Sequence, residues 1–312
     1  MFEPLPEEIV GVSQTAAGIR RFVESAAEVS GPVTLVGEAG TGKELAAKLI
    51  HRQSSRGPAP FLMIDCSLYY ERELRRELFG CRSGETPPRK GLLEFAAEGT
   101  CYISRIEELT PDLQAEMLLF LKSGRFERLG DGKEIGSEAR LIVSSEKNLQ
   151  GFVEAGLFHA GLYSEISGLS LRLAPVRERS EDVPVFVESV AAALWGGGCP
   201  RFAPETLEAL GTYPWPANFE ELRKEMVRLR TTRLEVIRPE NLAADVSSYW
   251  LGSHGDPLVR KVIEEIDSYI REYQVLSRLD GALADLFDES PAGKELGPPS
   301  PSCRAQGGEG YP

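Results

Sequence analysis

Residues 33–44, VTLVGEAGTGKE, decide how this chain folds. Val33, Thr34, Leu35 and Val36 read as a short buried strand. Gly37, Glu38, Ala39, Gly40, Thr41, Gly42 and Lys43 form a glycine-spaced turn, and residues 45–50 open a helix. Strand, loop and helix in that order are what a phosphate-binding loop needs. Its glycines let consecutive N–H groups point inward, the helix N-terminus adds a positive dipole end, and Lys43 brings a mobile charge. The position after the lysine ordinarily carries Ser or Thr to hold Mg²⁺, and here it is Glu44. The stretch thus predicts a bound nucleotide and puts Mg²⁺ in doubt. A loop kept only for its shape is the competing reading.

Outward from the loop, apolar runs at 61–65, 100–103, 139–145 and 169–173 predict four more strands. Helical spacing is expected after Ser13, a candidate N-cap, and over 68–79, 92–97 and 111–121, the last opened by Thr110 and Pro111. Strands alternating with helices imply an α/β parallel sheet covered on both faces. From APVRERSEDVP at 174–184 the chain reads as helices alone, at 183–195, 204–210 and 219–229. The expected organisation is an α/β domain over 1–176, a small all-helical lid over 177–246, a helical extension over 247–288 and a disordered tail over 289–312. A helix over 257–287, with Leu258, Val262, Ile266 and Ile270 on one side, is the candidate partner contact.

Composition narrows the function. The net charge of −13 argues against a large nucleic-acid surface. The five cysteines form no CxxC pair, which disfavours zinc and a disulfide framework and suits a reducing cytoplasm. No segment approaches 18 continuous apolar residues, so no membrane association is expected.

The ordered motifs IVGVS at 9–13, GEAGTGKE at 37–44, ELFG at 77–80, GRFERLG at 124–130, APVRERSEDVP at 174–184 and YPWPAN at 213–218 resemble the AAA+ ATPase domain of bacterial sigma-54 activators, the enhancer-binding proteins. The resemblance covers residues 7–246 and accounts for Glu44, which that family shares. It implies ATP or ADP as the ligand and adds Val10 and Gly11 to the loop residues as its binding site. It also implies a ring of subunits, ATP hydrolysis and a mobile loop that remodels RNA polymerase.

Measured against that family, the working residues are replaced. An Asp-Glu pair is expected at the end of the third strand, where this chain has Ser104 and Arg105. Hydrolysis needs one carboxylate for Mg²⁺ and another to orient water, and a guanidinium can be neither. Glu107 and Glu108 lie beyond the strand, roughly 10 Å along an extended chain. Glu146 stands at the sensor asparagine, His159 and Glu165 at the two trans-acting arginines, and Glu220 at the lid arginine; Arg223, one turn on, reads as a surface ion pair. The stretch 81–91 keeps no FTGA, so sigma-54 contact is not expected, nor is direct DNA binding, because no helix-turn-helix pattern is present near the end of the chain. Arg105 is expected to pair with Glu44 or a phosphate. The leading reading is a pseudo-ATPase that binds ATP or ADP and acts as a regulatory or scaffold protein through protein contacts, with itself or another AAA+ protein. A working activator with relocated catalytic groups and a nucleotide-free interaction module are the alternatives.

Overall fold

The computed structural model describes residues 8–82 and 88–254. The expected helix at 257–287, the tail, and residues 83–87 lie outside the described residues. Those described through Ser253 belong to one compact unit.

Five parallel strands carry it: β1 (Val33–Val36), β2 (Phe61–Asp65), β3 (Thr100–Ser104), β4 (Arg140–Ser145) and β5 (Ser170–Arg172), in the order β2-β3-β4-β1-β5. Registers are continuous, with Asp65 opposite Ser104, Thr100 opposite Arg140 and Val36 opposite Ser145. The strands therefore end together along one edge, and the loops at their C-terminal ends converge there. Alternation sorts the side chains to two buried faces. Cys101, Ile103, Leu141 and Val143 pack on one side with helices α3 (Glu71–Phe79), α4 (Leu92–Ala96), α5 (Pro111–Ser123), α6 (Leu149–Glu154) and α7 (Ala160–Ile166). Tyr102 and Ile142 pack on the other, against α1 (Gln14–Glu28) and α2 (Lys43–Gln53).

Local signals set the helix ends. Ser13 caps α1, its hydroxyl accepting from Ala16 N–H at 2.9 Å. Pro111 opens α5 and Gly124, at φ 66°, closes it with an N–H to Phe120 O at 2.8 Å. Thr110 holds the cap position of α5, but its hydroxyl makes no cap bond and is buried without a hydrogen-bond partner, which corrects the expectation of a capping side chain. A hairpin of Arg125–Glu127 and Glu134–Gly136, and the helices α6 and α7, were not foreseen.

After Val176 the described chain is mostly helical, with α8 (Val183–Trp195), α9 (Pro204–Thr212), α10 (Asn218–Thr232) and α11 (Ala244–His254), but Arg201–Phe202 and Val236–Ile237 pair as two short parallel strands. This corrects the expectation of an all-helical lid: two-residue strands are too short to show a period in the sequence. These helices build their own apolar core around the fully buried Trp215, whose indole N–H donates to Leu210 O at 2.7 Å.

Candidate functional site

The shared edge of the sheet opens on a cavity of about 710 Å³, the place where open α/β sheets take ligands. Of the residues read as the binding site, Val10, Ala39, Gly40, Thr41, Gly42, Lys43 and Glu44 line it; Gly11, Gly37 and Glu38 do not. Ile9, Leu49, Leu173, Phe186 and Phe219 supply an apolar side, and Asp65, Ser104, Arg105 and Glu146 a polar one.

The loop is shaped by two glycines. Gly40 has φ +73°, and a Cβ there would come within 2.2 Å of Ala217 O. Gly42, at φ +100°, precedes α2 without a side-chain cap, so the first amide donors of that helix are left for a ligand. Lys43 is 8% exposed and donates to Gly37 O at 2.7 Å and Glu38 O at 2.8 Å. Burial pushes its pKa down, while the Glu146 carboxylate, 4.0 Å away, and Glu107 pull it back up.

Residues 38–41 are also tied one by one to the helical part. Arg177 pairs with Glu38 through two hydrogen bonds, at 2.8 and 2.5 Å, and with help from Asn218 holds its carboxyl down at about 2. Asn218 is fully buried at φ 57°; its amide donates to Ala39 O at 2.9 Å and accepts from Val176 N–H at 2.8 Å. Phe219 N–H donates to Gly40 O at 3.1 Å. Arg179 donates to Thr41 O at 2.9 Å and lies 4.6 Å over the Phe219 ring. Gly11 meets the same helical part through Asp182, which accepts from Val12 N–H, Ser13 N–H and the Ser13 hydroxyl, each at 2.7 Å. The motif APVRERSEDVP supplies Arg177, Arg179 and Asp182, so the sequence marked the seam, but not whom it joins.

The polar side differs from expectation. Arg105 pairs with Asp65, not with Glu44: its Nε donates to Oδ1 at 2.8 Å and its Nη2 bonds Oδ2. Burial alone would raise the Asp65 carboxyl, but hydrogen bonds from Arg105 and Ser67 outweigh it and hold the pKa below its ordinary value. Glu44 is taken by Lys48, one helical turn on, at 2.5 Å. Glu107 does not lie out beyond the strand. Arg105 adopts a left-handed backbone (φ 54°, ψ 54°), and a 3₁₀ turn at Ile106–Glu108 folds Glu107 back, so that its Oε1 accepts from Glu146 N–H at 2.8 Å. Its other oxygen is buried without a hydrogen-bond partner. No single residue in the sequence signals this fold-back.

Two of the remaining replaced positions, His159 and Glu220, hold structural contacts. His159 caps α7, its ring nitrogen accepting from Gly161 N–H at 3.0 Å. Glu165 is exposed. Arg223 pairs with Glu220 at 2.9 Å, the ion pair foreseen.

The Sigma-54 interaction domain family matches residues 9–172. A Nif-specific regulatory protein of Rhizobium leguminosarum bv. trifolii is 34% identical over 83% of this chain and 74% of its own length. Regulatory protein LuxO of Vibrio parahaemolyticus is 32% identical over 69% of this chain, which spans 49% of it. NtrX from Brucella abortus superposes in its ADP complex (TM-score 0.71, 29% identity, 77% of this chain and 56% of that one) and in its ATP complex (0.72, 28%, 77% and 55%). The family match runs through 81–91 and overturns the expectation that sigma-54 contact is absent; the lack of an FTGA string in so short a stretch was too narrow a basis for excluding a partner. Among the described residues no helix is long and apolar enough to cross a membrane. The chain belongs to the Sigma-54 interaction domain family, and its α/β part is an AAA+ phosphate-loop domain of the sigma-54 activator type.

Proposed function

We propose that this chain is a nucleotide-binding regulatory domain that binds ATP or ADP through residues 37–44, hydrolyses the triphosphate poorly or not at all, and acts by protein contacts on the sigma-54 transcription machinery its relatives belong to. The intact loop and the ATP and ADP complexes of NtrX support the binding half. The observation that carries the hydrolytic half is Arg105. Where water must be oriented and a metal held, the chain presents a hydroxyl and a permanently charged guanidinium already bonded to Asp65. The positions expected to supply trans-acting arginines carry a helix cap and an exposed carboxylate. Loss of such an arginine alone costs about 10³ to 10⁵ in rate.

One observation favours a second reading, a working ATPase with relocated groups: Glu107 is a buried carboxylate folded back to the end of β4. Phosphate release from ATP decides between them. Background release, equal in wild type and Lys43→Ala, is the expected result. Release that both Lys43→Ala and Glu107→Gln abolish establishes the second reading instead.

A further inference from the structure

The polar side of the cavity sets what kind of nucleotide the loop can hold. Lys43, the loop's cation, already shares its charge with Glu146, whose carboxylate stands 4.0 Å from the ammonium and lines the cavity. Glu146 is held there from behind by the bond from its N–H to Glu107, itself a second buried carboxylate that acts on Lys43. The loop lysine serves the β- and γ-phosphates, and a third phosphate brings the added negative charge that must share it with the Glu146 carboxylate. A shorter phosphate chain is served by the backbone cradle, where Gly42 leaves the amides opening α2 uncapped.

The usual remedy for a triphosphate's charge is a divalent cation, and the residues present do not fit one. Both Asp65 oxygens are taken, Oδ1 by Arg105 Nε at 2.8 Å, Ser67 N–H at 3.1 Å and the Ser67 hydroxyl at 2.9 Å, Oδ2 by Arg105 Nη2. Glu44 is paired with Lys48. Among the described residues no group of three or more His, Cys, Asp or Glu is placed to hold a metal. A cation at the strand ends would also sit beside the Arg105 guanidinium, which is always charged. Arg105 lines the cavity and is itself the countercharge at that end.

We infer that this site selects a nucleoside diphosphate over a triphosphate and binds it without a divalent cation, with Glu146 as the residue that sets the preference. The inference rests on the nucleotide-binding reading above, and the test separates the two. Calorimetric titration of the whole chain with ADP and with the β,γ-imido analogue of ATP, each in MgCl₂ and in EDTA, is the measurement. ADP is expected to bind at least tenfold tighter than the triphosphate, with less than a twofold change on chelation. Glu146→Gln, checked for an unchanged melting temperature, is expected to tighten the triphosphate at least fivefold and ADP less than twofold. Equal or tighter triphosphate binding by the wild type, a tenfold loss of ADP affinity in EDTA, or no gain for the triphosphate in Glu146→Gln overturns this inference and leaves nucleotide binding standing. No heat from any ligand overturns the nucleotide-binding reading itself.

Discussion

Two walls of one cavity are built on different principles. The loop wall, residues 39–43, is made of backbone amides shaped by the glycines Gly40 and Gly42. The strand-end wall, Ser104, Arg105 and Glu146, presents individual side chains to the cavity. Backbone recognition is spread over several residues and reinforced by the helical part at every step from Glu38 to Thr41. Side-chain catalysis hangs on single positions, so one substitution removes it while the fold and the phosphate cradle remain.

The comparison can be broken most strongly at the seam that supports the loop wall. Asp182→Ala removes a fully buried carboxylate that accepts three hydrogen bonds from Val12 and Ser13, and a loss of about 3 kcal/mol in unfolding free energy by chemical denaturation is expected. Next comes the loop's cation. Lys43→Ala is expected to weaken ADP binding by about 1.5–3 kcal/mol in calorimetry, because a charge-assisted contact is lost, with little change in fold.

Smaller effects sharpen the contrast. Glu38 is held at about 2 by Arg177, below the ordinary carboxylate value of 4.5. A depressed pKa contributes stability that is fully present above about 4.5 and is lost as pH falls through about 2. Both partners are more than 40% exposed, so the contribution is at most about 1 kcal/mol. Melting temperatures of wild type and Arg177→Ala should therefore differ at pH 6 and converge only as pH falls below about 2. The smallest effect belongs to the strand-end wall. Arg105→Ala breaks a part-exposed pair, at 33% and 26%, and should cost about 0.5–1 kcal/mol in thermal unfolding; a cost above about 3 would make Arg105 a structural residue first.

Legibility in the sequence divides along the same line. The central strands β1, β3 and β4 are readable because each is an apolar run buried on both faces, and the cradle is readable because glycine spacing is a local code. The hairpin at 125–136 escapes such a reading because RFE and EIG are too short and polar to show a period. The partner of Arg105 escapes it for another reason: Asp65 lies 40 residues away and becomes its neighbour only through the register of β2 with β3. Glu107 is misplaced by an extended continuation of β3, and a left-handed turn at a non-glycine residue has no signature that would correct it.

The seam at residues 38–41 has one more consequence, for the order in which the molecule assembles. Its partners lie 138 to 180 residues away in the chain, so they can close only after the sheet and the helices after Val176 have each formed, and loop closure over such distances is slow. Substitutions in the seam should leave the refolding rate nearly unchanged and accelerate unfolding, the signature of contacts absent from the folding transition state. Residues 38–41 are then the last part of the described chain to acquire their shape.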